Sequence, residues 1–357
     1  MEWKEKSVLV TGGASFIGSH LVDALVARGA DVRVVDDLSS GRCENLADAL
    51  IDGGIEFIEA NLLEKGVAQA MTYDIDIVFH LAAAYGGRGF IELHQTECAT
   101  NLALDGLVFR ACHENGVEKV VFASTGCVYP TELQQDPDAD VRLVESMVAP
   151  PYSADNIYGW SKLMAELTLQ AYYKEHGMKS AICRHFTAYG PRDHENHAIM
   201  AMIARSFIDQ SPFFVWGDGR QIRNWTHVSD IVEGTICAAE AIDDASPVNI
   251  GTMEPTQVIQ AVDQVLEYTG KDLPVELQPE MSTGPLNRVA DNSLVKSLTG
   301  WEPQIKFADG LKATIDWYYA THNPDEVREV LEQRLTGRAE AAPLLSGMSS
   351  TKNRCAA

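Results

Sequence analysis

Through its first half the chain alternates short, unbroken apolar runs with stretches of helical spacing. Residues 7–11 (Ser-Val-Leu-Val-Thr) are the first apolar run, and residues 18–28 follow with a helical pattern that stops at Gly29. Residues 31–36 predict a second strand, ending in carboxylates. Further strands are expected at 56–59, 75–81, 119–124 and 180–185, and helices at 67–71, 92–115 and 158–176. Strand, helix, strand in repetition predicts an α/β fold built on a doubly wound parallel sheet, because parallel neighbours need a crossover that a helix supplies.

After Pro191 that rhythm breaks. Helices are expected at 198–209, 229–242, 254–269 and 307–319, with short strands at 213–216, 225–227 and 247–250. This half reads as a smaller C-terminal lobe that caps the sheet and binds substrate, the chain passing between lobes more than once. The expected division is residues 1–185 for the sheet domain, with 228–252 returning to it, and 186–335 for the capping lobe. From about Thr336 the sequence carries Arg, Ala, Gly and Ser without apolar period, so residues 336–357 are expected to be a disordered tail. No internal repeat is visible.

With 357 residues, 46% of them hydrophobic, the chain can bury a sizeable core. Its formal net charge of −23 argues against nucleic acid and anionic membranes as partners. An anionic ligand must then be held by local cations and helix N-termini against the global field. The seven cysteines are odd in number, loosely spaced and without a CxxC, which reads as reduced thiols in a cytoplasm. The chain start runs into the first strand without an apolar signal segment, and no apolar run reaches the length of a membrane span.

Candidate chemistry begins at Thr11-Gly12-Gly13-Ala14-Ser15-Phe16-Ile17-Gly18, a glycine-rich strand-to-helix turn. Glycines there let the backbone approach a pyrophosphate, whose charge the helix N-terminus favours. Ser15 stands where a glycine is usual; a negative φ would let it serve, with its hydroxyl available to phosphate. Asp36 ends the second strand, where a carboxylate can accept from both ribose hydroxyls. Asp36 and Asp37 would repel a 2′-phosphate, which favours NAD over NADP. Leu38 follows them, Asn61 and Leu62 follow the third strand near an expected adenine, and Leu81, Ala82 and Ala83 end the fourth with small residues where a cofactor would lie. Asn101 and His185 complete the expected cofactor contacts. Together these features predict a Rossmann-like NAD site.

Tyr158 and Lys162 stand four apart in Tyr-Gly-Trp-Ser-Lys and so share one helix face. Beside a bound dinucleotide such a pair describes a phenol, acidified by an ammonium, that exchanges a proton while a nicotinamide exchanges a hydride. Lys162 would also bind the nicotinamide ribose, and Thr125, at a strand end, would hydrogen-bond the hydroxyl being oxidised. The segment His194-Glu195-Asn196-His197 lacks the His-Glu-x-x-His spacing of a zinc helix, and no metal is expected.

The stretches TGGASFIGSHL, HLAAA, ASTGCVYP, YGWSK, RHFTAYGP, WGDGRQIRNWTHVSD and PVNIG carry a resemblance to the extended short-chain dehydrogenases that modify nucleotide sugars, over roughly residues 6–303. The resemblance implies NAD, a nucleotide-diphosphate sugar as substrate, oxidation at C4, alteration, re-reduction, and a homodimer built on helices 92–115 and 158–176. Related dehydratases place Asp-Glu after the threonine, and related decarboxylases place Glu before the valine; here Gly126-Cys127-Val128 supplies neither. Instead Thr125-Gly126-Cys127-Val128-Tyr129-Pro130 is similar to the thiol motif of GDP-mannose 3,5-epimerases, and the stretch from Ala83 to Ile91, with Gly87, Arg88 and Gly89, resembles their glycine-rich substrate loop.

A C4 ketone acidifies the protons on C3 and C5, and inversion then needs a base on one face and an acid on the other. Cys127 is expected to be one such group. The second is a lysine in those relatives; the corresponding position here is His197, with His194 as a nearby competitor. Thr187 replaces a usual asparagine that touches the substrate, Arg223 and Arg288 are expected on its diphosphate, and Trp216 beside its base. The readings left open are a plain 4-epimerase, a dehydratase or oxidoreductase on the same substrate class, and a non-catalytic NAD-binding regulator.

Overall fold

The computed structural model describes residues 2–51 and 53–337. Its centre is the doubly wound sheet that the sequence predicts. Six strands, β1 (Ser7–Thr11), β2 (Asp31–Asp36), β3 (Ile55–Glu59), β4 (Ile77–His80), β5 (Lys119–Thr125) and β6 (Lys179–His185), join the strand Asp244–Ile250 in one seven-stranded sheet. The order across it is β3-β2-β1-β4-β5-β6, then Asp244–Ile250, and every pairing is parallel. All four residues of β4 are buried, as expected of a strand covered on both faces. Leu21, Val22 and Leu25 of the helix Phe16–Ala27 cover one face, while Leu104, Val108 and Leu169 from the helices Asn101–Glu114 and Asn156–His176 cover the other. The chain reverses its direction of travel across the sheet between β1 and β4, whose ends meet in register at Thr11 and His80. A crevice at the carboxyl ends of the strands opens at such a reversal.

Above this end of the sheet lie the helices Ala198–Phe207, Val258–Thr269, Phe307–Thr321 and Pro324–Thr336, around a second core that includes Met200, Ile203, Phe213, Val262, Leu311 and Leu331. The parallel strand pairs of this part include Phe213–Trp216 with Val275–Gln278, and Ile222–Arg223 with Asn287–Arg288. Between them the chain returns to the sheet through the helix Val228–Ala241 and the strand Asp244–Ile250, which pairs with β6.

Several local expectations need correction. The expected helix 92–115 is three successive helices, Arg88–Leu93, Gln95–Ala99 and Asn101–Glu114. The backbone leaves the helical region at His94 (φ −115°, ψ 44°), whose ring stacks on Phe90 at 4.7 Å. Thr336, the expected start of a tail, closes a helix instead. Asn323 caps that helix by accepting from the Asp325 N–H, and Val327, Leu331 and Leu335 repeat every fourth residue on its buried face. The rest of the expected tail lies outside the described residues. Cys112, Cys127, Cys183 and Cys237 are free thiols. Among the described residues no helix is long and apolar enough to cross a membrane.

Candidate active site

β1 ends at Thr11, and the chain turns through Gly12 into the helix Phe16–Ala27. Gly12 sits at φ +70°, and a Cβ there would lie 2.9 Å from the Ala82 nitrogen. Only glycine meets both conditions. Ser15 has the negative φ expected of it (−87°), and its hydroxyl donates to the Gly12 carbonyl at 2.7 Å. The turn opens onto a cavity of about 210 Å³ lined by Gly12, Ser15, Asp36, Asp37, Asn61 and Ala82, among others. Leu62, Leu81 and Ala83 also line it.

Asp36 is buried, and burial pushes its carboxyl up to about 6, although it accepts from the Leu38 and Ala14 N–H groups at 2.9 and 3.0 Å. Among the described residues it has no ion-pair partner. A buried carboxylate with one backbone bond on each oxygen retains acceptor capacity for two more hydroxyls, which fits the ribose of NAD. Gly13 and Gly18 pack against the turn and β1 rather than line either cavity of the site. Leu38, at φ 57°, acts through its N–H on Asp36, and Asn101 bonds both the N–H and the C=O of Ala84, fixing the segment after β4.

A larger cavity of about 370 Å³ adjoins the first. Ser15, Leu81, Ala83, Tyr85 and Asn196 line both, so the two are continuous. Phe16, Ile17, Thr125, Tyr158, Lys162 and His185 all face the larger one. Burial, with Lys162 adding to it, holds the His185 imidazole down to about 3 and therefore neutral, and its Nε2 lies 2.9 Å from the Thr235 hydroxyl. Thr125 ends β5, and its hydroxyl accepts from the Cys127 N–H at 3.2 Å.

The expected acidification of Tyr158 by Lys162 does not hold among the protein's own groups. Burial raises the Tyr158 phenol well above its ordinary range, and Cys127, Cys98, Tyr85 and Asp105 push the same way. Lys162 is itself buried, with its ammonium 4.5 Å over the Phe122 ring, and burial lowers its pKa against the pull of Asp105. Low polarity penalises the charged form of both groups, and the helix spacing that brings them to one face does not set that balance.

The far end of the cavity is cationic. The strands Ile222–Arg223 and Asn287–Arg288 pair in parallel with Arg223 opposite Arg288. Arg288 donates to the Cys127 sulfur at 3.1 Å, to Asp155 at 3.0 Å and to Gln134 at 2.8 Å. Arg88 grips the same Asp155 carboxylate with two bonds, at 2.9 and 3.0 Å. Burial opposes the Asp155 charge, but Arg288 and Arg88 outweigh it and hold this carboxyl below its usual range. Arg223 donates to the Ile222 and Thr283 carbonyls and, among the described residues, to no carboxylate. Burial, with Arg288 and Arg88 beside it, pulls its pKa down to about 9. The cluster thus has a surplus of positive charge, which an anionic ligand would relieve. Thr187 and Trp216 line the same cavity; among its described lining residues none is Asp or Glu.

The segment after Pro191 separates the two histidines. His197 lines the larger cavity, while His194 is 3% exposed and lines the smaller one. His197 Nδ1 lies 2.6 Å from Asp193 Oδ1. Gly87 is required by contact, since a Cβ there would fall 1.8 Å from the Asn196 carbonyl oxygen. Gly89 lies outside the cavity, against the backbone of Leu335.

Asp155, Asp193 and Tyr85 were not among the expected site residues. Asp155 immediately precedes the helix Asn156–His176 and reads from sequence as an N-cap, yet its side chain makes no cap bond and turns to the arginines instead. Asp193 stands in an irregular segment where spacing to His197 carries no periodic signal.

Comparison with known proteins places these features in context. The model of the NAD dependent epimerase/dehydratase family matches residues 8–251. GDP-mannose 3,5-epimerase 1 of Oryza sativa subsp. indica is 28% identical over 315 residues, covering 87% of this chain and 81% of its own. UDP-N-acetyl-alpha-D-glucosaminuronate decarboxylase of Bacillus cytotoxicus is 31% identical over 331 residues, covering 89% and 99%. Among solved structures, UDP-glucuronic acid 4-epimerase from Bacillus cereus, in complex with UDP-glucuronic acid and NAD, is similar with a TM-score of 0.78 at 26% identity, covering 87% of this chain and 98% of that one.

Proposed function

Because this chain belongs to the NAD-dependent epimerase/dehydratase family and takes NAD as its cofactor, we propose that it is a nucleotide-diphosphate-sugar epimerase that inverts C3, C5 or both through a 4-keto sugar, on a GDP-mannose-like substrate. The observation that carries this reading is that Cys127 and His197 line the same cavity as Tyr158 and Lys162. A plain 4-epimerase has no use for an acid/base pair beyond Tyr158. The carboxylates of related dehydratases and decarboxylases have no counterpart among the cavity's described lining residues.

When bound, NAD would supply the hydride acceptor for oxidation at C4 and the donor for the later re-reduction. Tyr158 removes the proton of the C4 hydroxyl, with Thr125 hydrogen-bonded to the same oxygen and Lys162 on the cofactor ribose. Arg223 and Arg288 hold the diphosphate through guanidinium donors that their protein contacts leave over, and Trp216 packs on the base. The ketone at C4 acidifies the neighbouring carbons, and Cys127 and His197 exchange protons there.

The test is a panel of GDP-, UDP-, dTDP- and ADP-sugars incubated with the protein in deuterated water. Deuterium at C3 or C5 of one sugar is the expected result. A product inverted only at C4, without exchange, would replace the proposal with a 4-epimerase; accumulating NADH or lost water would replace it with an oxidoreductase or dehydratase.

A homodimer accompanies this reading. Ile157, Trp160 and Met164 expose apolar side chains along one stripe of the helix Asn156–His176, and Leu102 does so on the adjacent helix Asn101–Glu114. Sedimentation of the wild type is expected at the mass of two chains, and Trp160→Glu with Met164→Glu at the mass of one; a monomeric wild type contradicts the proposal.

A further inference from the structure

We propose that Asp193 is the positioning residue for His197: it holds Nδ1, so that Nε2 is the atom offered to the sugar and the imidazole works as the acid of the inversion. This rests on the reading of His197 as one of the two proton-exchanging groups.

The geometry has three parts. Asp193 Oδ1 lies 2.6 Å from His197 Nδ1 and also accepts from the His194 N–H at 2.8 Å, so the carboxylate is tied to the backbone of the segment it serves. Asp193 is 5% exposed, and its other oxygen has no partner among the described residues. A buried carboxylate with one side-chain partner commits that partner to the N–H form at Nδ1. His197 is also the residue before the helix Ala198–Phe207, with its ring 6.2 Å from that of Tyr85, so both its backbone and its ring plane are restrained.

The charge follows the same contact. Burial alone would strip the imidazole of its proton, but Asp193 outweighs burial and raises the His197 pKa. The other titratable groups around the pair are His194 and Glu195 of the same segment and Tyr85 from the segment after β4; Asp193 is the one that acts on the His197 charge. Cys127, with the Arg288 guanidinium on its sulfur, is then the base. The Cys127 thiolate takes the proton from C3 or C5, and the C–H pair moves into an enolate with the C4 ketone. The Nε2–H of His197 then gives a proton to the same carbon from the other face, leaving a thiol and a neutral imidazole. Exchange with solvent restores both.

The test compares Asp193→Asn and His197→Gln with the wild-type holoenzyme on the substrate identified by the panel. For Asp193→Asn, deuterium incorporation at C3 or C5 is expected to fall about 10- to 100-fold, the scale of losing one hydrogen bond to a charged group. Transient 340 nm absorbance from C4 oxidation should stay near the wild-type value. An imidazolium acid loses activity as pH rises through its pKa, so the alkaline fall in wild-type exchange should move to lower pH in Asp193→Asn. If exchange and its pH profile are unchanged in Asp193→Asn while His197→Gln abolishes exchange, the positioning role is overturned and the acid role stands. If His197→Gln exchanges normally, the acid role itself falls. Should Asp193→Asn not fold, nitrogen-15 spectra of wild-type His197 decide: a protonated Nδ1 at neutral pH supports the proposal, and an unprotonated one overturns it.

Discussion

Replacing Tyr158 with phenylalanine is expected to slow C4 oxidation by about a thousandfold, within the range that a positioned general base contributes. Phenylalanine keeps the ring and its volume, so the fold and the NAD cavity should be retained. What is lost is the hydroxyl proposed above to take the C4 hydroxyl proton. The size of the effect follows from the surroundings. Burial, Cys127, Cys98 and Tyr85 all favour the neutral phenol, and Lys162 does not offset them. In the proposed mechanism the positive charge of a bound, oxidised nicotinamide would favour the phenolate and so couple proton removal to a loaded cofactor. Rapid mixing with the substrate, read at 340 nm, measures this directly; a Tyr158→Phe rate within tenfold of wild type would mean another group removes that proton.

Serine at position 127 is expected to separate the two halves of the reaction. Cys127→Ser should cut solvent exchange at C3 and C5 by about 10²–10⁴, because an alkoxide is far less accessible than a thiolate near neutrality. The 340 nm transient should survive, since Tyr158, Lys162 and Thr125 are untouched. The sulfur is 3.1 Å from an Arg288 nitrogen, and Arg288 is anchored by Asp155 and Gln134, so the guanidinium should remain in place without its sulfur contact. Proton NMR of the recovered sugar in deuterated water is the readout. Undiminished exchange in Cys127→Ser would remove the thiol from the mechanism, and with it the main reason to prefer inversion at C3 or C5.

The fold and the cofactor crevice were largely legible in the sequence because their determinants are local. The apolar run of β1, the turn at Gly12 and the carboxylate ending β2 fall within one strand–helix–strand unit. Errors came where local pattern was ambiguous. A helical period ran through His94, although the backbone breaks there. The helix Pro324–Thr336 follows the last one expected from sequence at 307–319, although Val327, Leu331 and Leu335 carry a fourth-residue repeat there.

The substrate end was legible only in part. Arg223 and Arg288 are both expected on the diphosphate from sequence, yet neither spacing nor composition indicates that they face each other in register across a strand pair. Asp155, at the N-cap position of the helix Asn156–His176, bridges Arg88 and Arg288 instead of capping the helix.

By itself the sequence determined the doubly wound sheet, the glycine turn that leads from its first strand into a helix and the shared face of Tyr158 and Lys162, because strand period, helix period and turn chemistry act over a few residues. Tertiary structure alone decided which histidine faces the larger cavity, which carboxylates the arginines and His197 meet, and that burial rather than Lys162 governs the Tyr158 phenol. Those outcomes depend on desolvation and on charges brought together from distant segments, and both exist only once the chain has closed around the site.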